Sequence, residues 1–361
     1  MSLVDPRVKK QAEILIDHSL KVKKGEKVVV IGNFQAKDLM LEIYRLLVKS
    51  GVVDVINKFD TYDFAETFFK EASTDQINYF PKFDMEEVKY ADCYLRIAAP
   101  INTRGLSGVD PDKISQRSKV LKPITDYRVE KTRWVITRFP TESQAQEADM
   151  SLSDYADFVF SAINNVDWKK QFKEQEKLRM RVDTTQTVRI IGSGTDLKLG
   201  IKGRKAVNAA GEFNMPDGEV FTSVVENEAN GYITYSFPAL YLGREFNDVR
   251  LEFKNGKVIS ATASKNEEAL NKILDMDAGS RYIGELGIGN NFNIKKFTKD
   301  ILFDEKIGGS IHIALGKGYK ETKSNNVSAL HWDMIKDLRG EGKLWFDNKL
   351  VQKNGKWLIN I

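Results

Sequence analysis

The chain has 361 residues, 55 Lys and Arg against 51 Asp and Glu, a formal net charge of +4 and 42% hydrophobic residues. This is globular composition at a length that usually divides into two cores, and it excludes a disordered, collagenous or coiled-coil chain. A surplus of +4 spread over so many ionisable groups is too weak to imply nucleic acid or an acidic membrane as partner.

Asp5-Pro6 reads as an N-cap followed by proline at the first helical position, and Val8, Ala12, Leu15, Ser19 and Val22 recur at helical spacing until Gly25. His18 falls on the polar side of this helix and is expected at the surface. The apolar run 27–32 predicts a buried strand, 36–49 a helix and 52–56 a second strand, which is a βαβ unit. Strands predicted at 91–98 and 133–138, separated by a polar helix near 112–121, extend it into an open parallel sheet. Residues 1–183 are therefore expected to form an N-terminal α/β domain, with the charge-dense helical segment 167–181 as its connector.

From 184 to 361 the texture is β-rich, with strands predicted at 187–191, 197–201, 231–239, 249–253 and 258–263. Asn230-Gly231 and Asn255-Gly256 punctuate them as turns, a short helix spans 266–274, and two hairpins close the chain between 344 and 359. This half is expected to be a β-rich α+β catalytic domain.

Cys93 is the single cysteine, so neither a disulfide nor a cysteine zinc cluster forms within one chain, and any metal must use His, Asp and Glu. The first twenty residues lack an apolar h-region, and no run reaches the roughly eighteen apolar residues of a membrane span, so the expected location is the cytoplasm. Serine-hydrolase, P-loop and zinc-helix signatures are absent. The glycine pairs at Gly192-Gly194, Gly287-Gly289 and Gly316-Gly318 each lack the third glycine of a dinucleotide fingerprint, and none follows the first strand, so they are not expected to bind a cofactor.

Two of the three histidines, His312 and His331, lie near the C-terminus beside acidic residues. His331-Trp332-Asp333 places an imidazole and a carboxylate on one face of an extended segment, either as a two-ligand arm or as a core histidine bonded to its neighbour. His312 alternates with Ile311 and Ile313, which by itself predicts the solvent side of a strand. Glu219, Glu285 and Glu305 stand in turn-forming or glycine-rich contexts, and each alone reads as a solvated charge. Together these side chains make a set of hard oxygen and imidazole ligands suited to two divalent ions in a hydrolase.

The segments NMPDGEVFT (214–222), GELGIGNN (284–291), FDEKIGGSIHIALG (303–316) and SALHWDMI (328–335) resemble, in order and spacing, those of the thermophilic metallo-aminopeptidases, the aminopeptidase T and aminopeptidase S family. The likeness extends over the whole chain. It implies an N-terminal α/β domain, a C-terminal domain with a co-catalytic metal pair, a homodimer, and release of N-terminal residues from peptides with a free N-terminus. Carried over by position, it implies Glu219, Glu285, His312, His331 and Asp333 as ligands, with Glu305 a sixth. Glu285 or Asp333 would bridge the ions, and Tyr319 would be the active-site tyrosine. The implied cofactor is two divalent ions per chain, Zn²⁺, Co²⁺ or Mn²⁺, with Mg²⁺ a further candidate. Two rivals stand beside this reading. A two-metal phosphoesterase should surround its phosphate with cations, for which the sequence offers Arg244 and Lys317 but no cluster. A non-catalytic binding protein could have kept the fold.

Overall fold

A computed structural model describes residues 5–361. The chain forms two compact units. One holds the residues up to Asn165 together with Gly211–Pro216, and the other holds Val166–Ala210 and Asp217–Ile361.

The first unit is built on five parallel strands in the order Asp54–Asp60, Lys27–Asn33, Cys93–Ala98, Arg133–Arg138 and Asn214–Met215. Val28, Val29, Val30 and Ile31 are all buried, as expected of a parallel strand covered on both faces. The second strand continues to Asp60, past the predicted 56, because Lys58 and Asp60 end the apolar run without ending the pairing. Helices Tyr62–Glu71, Thr74–Asn78 and Lys82–Tyr90 supply the crossover that parallel pairing requires. The N-terminal helix Pro6–Glu13 is capped by the Asp5 side chain and continues as a π-helical segment, Ile14–Ser19. His18 is half-buried there rather than at the surface, with its ring beside Gly211. The predicted 112–121 helix runs as Pro111–Lys131, through Pro123.

The second unit begins earlier than the predicted boundary at 183/184. Helix Trp168–Thr184 belongs to it, because Leu178 and Val182 enter its apolar core and Gln175 Nε2 donates to the carbonyls of Ala209 and Glu219, both at 2.9 Å. The charge density of that helix reads as a linker, but a stripe of two buried apolar residues is enough to seat it.

Two large antiparallel sheets follow, beside a two-stranded one of Ala239–Tyr241 and Arg244–Phe246. One has eight strands, Lys257–Thr262, Arg250–Lys254, Ala229–Thr234, Thr195–Gly200, Thr187–Gly192, Lys343–Phe346, Lys349–Lys353 and Lys356–Trp357 in spatial order. The other has five, His331–Asp337, Ser310–Gly316, Ile283–Gly289, Glu219–Thr222 and Ala206–Ala209. A single apolar core joins them, with Ile190, Leu197 and Leu199 of the first sheet and Leu286, Ile288, Ile311 and Ile313 of the second, closed by Leu270 and Leu274 of helix Glu267–Leu274. Asn255-Gly256 makes the predicted hairpin turn, with φ of 49° and 85°. Asn230-Gly231 does not, since both residues lie inside the Ala229–Thr234 strand. The predicted 231–239 strand is thereby divided into Ala229–Thr234 and Ala239–Tyr241.

Candidate metal centre

Every residue of Ile283–Gly289 and Ser310–Gly316 is buried, so these two strands have no solvent face. The expectation that alternation turns His312 to solvent fails for that reason: the histidine is 1% exposed. One face of the sheet carries Leu286, Ile288, Ile311 and Ile313 into the core. The opposite face carries Glu219, Glu285, His312, His331 and Asp333.

Pairing register decides how these side chains meet. Glu285 lies opposite Ala314, and Ala314 opposite Asp333. His312 lies opposite Gly287, Glu219 opposite Gly289, and His331 opposite Gly316. Each functional group therefore has a small residue beside it across the strand. The need is sharpest at Gly287, where a Cβ would fall 2.0 Å from His312 Nε2. Gly287 is thus clearance for the His312 ring. Gly287→Ala is expected to push the imidazole off its position and weaken divalent-metal binding by roughly 10- to 100-fold, the range for disturbing a ligand's support; calorimetric titration with Zn²⁺ checks this, and unchanged affinity rejects it.

The two imidazoles are oriented alike. His312 Nδ1–H donates to the Glu305 carbonyl at 3.0 Å and His331 Nδ1–H to the Lys317 carbonyl at 2.8 Å, which turns both Nε2 atoms toward the carboxylates. His312 Nε2 lies 3.2 Å from Glu285 Oε1 and 3.4 Å from Glu219 Oε2. His331 Nε2 lies 3.8 Å from Glu285 Oε2 and 3.4 Å from Asp333 Oδ2. Backbone acceptance at Nδ1 is the usual arrangement behind a metal-binding Nε2. Three sets of ligand atoms each fall within 4.8 Å of one another: Glu219, Glu285 and His312; Glu285, His331 and Asp333; Glu305, His312 and Asp333. All six residues predicted to bind metal are thus brought together.

The cluster holds a surplus of negative charge. Burial raises the carboxyls of Glu219, Glu285 and Glu305 above their usual range. Asp333 is held at about 2, because His331 and His312 outweigh its burial. Burial disfavours charge on both imidazoles, yet Glu285 with Glu219 at His312, and Asp333 with Glu285 at His331, lift each to about 10. Glu219 Oε2 is buried without a hydrogen-bond donor. An orphaned carboxylate oxygen, four carboxylates and two inward Nε2 atoms without a thiolate fit divalent cations of the Zn²⁺, Co²⁺, Mn²⁺ or Mg²⁺ kind.

Sequence reasoning passed over two residues here. Lys306 is wholly buried and pairs with Glu305 and, at 3.4 Å, with Glu219; those carboxylates hold its ammonium above the ordinary lysine range against the effect of burial. A lysine between a glutamate and a glycine turn reads as surface charge, so only the fold reveals it. Asp277 accepts from Ala329 N at 2.7 Å, Ser328 Oγ at 2.8 Å and Gly279 N at 2.9 Å, and so pins the segment leading into His331. Tyr319 stands at the rim, 41% exposed, its ring centroid 5.6 Å from that of Phe221 and 5.3 Å from that of His331. Desolvation, then the charges of Glu285 and Asp333, raise its phenol, so it stays protonated. Arg244 and Lys317, the cations a phosphoesterase would call on, are exposed, and Lys306 is already engaged by carboxylates.

The sheet face thus defines a buried oxygen-and-imidazole site of the kind found in metal-dependent hydrolases. The chain belongs to the thermophilic metalloprotease family (M29), whose profile matches residues 4–357, and is a metallopeptidase. Aminopeptidase T of Thermus thermophilus is 24% identical to it over 98% of both chains. Aminopeptidase AmpS of Bacillus subtilis is 24% identical over 85% of this chain and 83% of its own length. The solved structure of wild-type AmpT from Thermus thermophilus shares the fold, with a TM-score of 0.86 at 21% identity, covering 98% of this chain and 99% of that one. Among the described residues no helix is long and apolar enough to cross a membrane.

Proposed function

We propose that this chain is an aminopeptidase that removes the N-terminal residue of peptides with the help of two divalent ions. The observation that carries the proposal is Glu285. Its two oxygens face different imidazoles, Oε1 that of His312 and Oε2 that of His331, so one carboxylate serves two ligand sets. Asp333 also belongs to two ligand sets, so the choice of Glu285 as the residue that would bridge rests on its two imidazole contacts. Glu219 and His312 complete one set, His331 and Asp333 the other, with Glu305 as the sixth ligand. When bound, the ions lower the pKa of water and polarise the peptide carbonyl.

The remaining work falls to the chain's own groups. The Tyr319 phenol, protonated and beside His331, donates a hydrogen bond to the carbonyl oxygen as negative charge develops on it. The two backbone carbonyls at Glu305 and Lys317 keep the imidazoles in the tautomer that presents Nε2. Lys306 holds Glu219 and Glu305 in place without leaving the interior. Arg244 and Lys317 are exposed and Lys306 is engaged by Glu219 and Glu305, an arrangement that favours an exopeptidase over the phosphoesterase reading. The homodimer and the cytoplasmic location belong to the same proposal, the first resting on the resemblance in the four segments and the second on the hydropathy of the sequence.

Chelation is expected to abolish hydrolysis of aminoacyl-p-nitroanilides, and Zn²⁺, Co²⁺ or Mn²⁺ to restore it, since this ligand set does not choose sharply among them. p-Nitrophenyl phosphate should not be turned over in either state. Full activity in protein shown by elemental analysis to be metal-free sinks the proposal.

A further inference from the structure

In the first unit the chain passes from Lys27–Asn33 to a neighbour on one side, Asp54–Asp60, and then to Cys93–Ala98 on the other. A cavity of about 380 Å³ lies on one face of this sheet, between Ile31, Lys58, Tyr94 and Arg96 of the strands and the helices Lys82–Tyr90 and Pro111–Lys131. It is within the size range of small-molecule sites.

Most of its charges are already matched. Lys58 pairs with Glu87 at 2.9 Å and Arg96 with Asp60 at 3.1 Å. Two lining groups are left, Arg128 and Asp84, and neither has an ion-pair or side-chain hydrogen-bond partner among the described residues. Arg128 is the informative one. Its guanidinium faces the rings of Tyr94 and Trp134, 5.5 and 5.6 Å from their centroids, and its Nε is buried with no acceptor. Burial and the nearby positive charge of Arg96 hold it below the ordinary arginine value. The half-buried guanidinium thus meets two aromatic rings and no anion.

We infer that this cavity binds a small zwitterion, a free amino acid or short peptide, with its carboxylate on Arg128 and its ammonium toward Asp84. One unmatched cation and one unmatched anion in the same cavity suit a dipolar molecule, whereas a lone dianion would face Asp84 and Glu87. The planar guanidinium fork accepts a carboxylate in two hydrogen bonds. The site lies in the unit that carries none of the proposed metal ligands, so it stands or falls apart from the peptidase proposal.

The test uses the full chain after chelation, titrated with L-leucine, L-leucinamide, N-acetyl-L-leucine and inorganic phosphate by calorimetry, with Trp134 fluorescence as a local signal. L-Leucine is expected to bind saturably, and the two blocked derivatives and phosphate more weakly. Arg128→Met, which keeps the apolar stem against the rings, should weaken L-leucine binding roughly ten- to a hundredfold, the effect of losing a hydrogen bond to a charged group. Peptide hydrolysis by the metal-loaded variant without added L-leucine should match wild type. Asp84 is exposed, so Asp84→Asn should fold normally, also weaken L-leucine binding, and carry the test alone if Arg128→Met is unstable. No saturable L-leucine binding, binding unchanged in the folded variants, or phosphate binding as tight as that of L-leucine overturns the inference.

Discussion

Glu285→Gln is expected to lose both metal and activity together. The substitution keeps the volume of the side chain, so the buried strand around it remains packed and no cavity opens. What it removes is the charge that faces both His312 and His331. An amide is a weak ligand for these ions, and a residue that serves both sets weakens both when neutralised. Since divalent ions supply several kcal/mol of transition-state stabilisation, kcat/KM should fall by more than about 10³-fold. Asp333→Asn should also lose metal, because that carboxylate lies within reach of Glu285 and His331 on one side and of Glu305 and His312 on the other. His18→Ala, in the other unit, should leave metal content and rate intact. Elemental analysis after dialysis decides the matter: two ions retained per chain in Glu285→Gln would mean that the bridging assignment is wrong.

Tyr319→Phe is expected to separate catalysis from metal assembly. The ring is held by Phe221 and His331, and phenylalanine keeps both contacts. A protonated phenol is a poor ligand for these ions, so metal content should not change. The lost group is a donor to an oxygen that carries charge only once water has attacked the carbonyl. Loss of one such donor costs on the order of 10²- to 10³-fold in kcat, about 3 to 4 kcal/mol, with KM nearly constant. Steady-state kinetics and metal analysis on one preparation test it. A kcat within a few-fold of wild type removes Tyr319 from the reaction and leaves it as an aromatic at the rim.

What the sequence by itself determines here is local. Asp5-Pro6 starts a helix and Asn255-Gly256 turns a hairpin because a side-chain cap and positive φ are properties of neighbouring residues. The βαβ opening follows from an apolar run too short for a helix beside a stretch with helical period. The candidate ligand set was legible through the order and spacing of four segments, which resemble a known family more specifically than any single residue in them signals chemistry. The extent of helix Trp168–Thr184 was legible too, but its membership was not, since Leu178 and Val182 reveal only that it has an apolar stripe and not which core receives it.

The tertiary structure decided everything that depends on which strands pair and what covers them. His312 alternates with isoleucines as a surface residue would, yet the sheet is covered on both faces and the imidazole is interior. Gly287 has no meaning until register sets it beside His312. Lys306 becomes a buried counter-charge only where the chain folds it between Glu219 and Glu305, and Arg128 becomes an unmatched cation only where Arg96 and Lys58 have already taken Asp60 and Glu87. Propensity acts over a few residues of chain, whereas desolvation and Coulomb energy depend on distance in space, and pairing between segments tens of residues apart sets that distance.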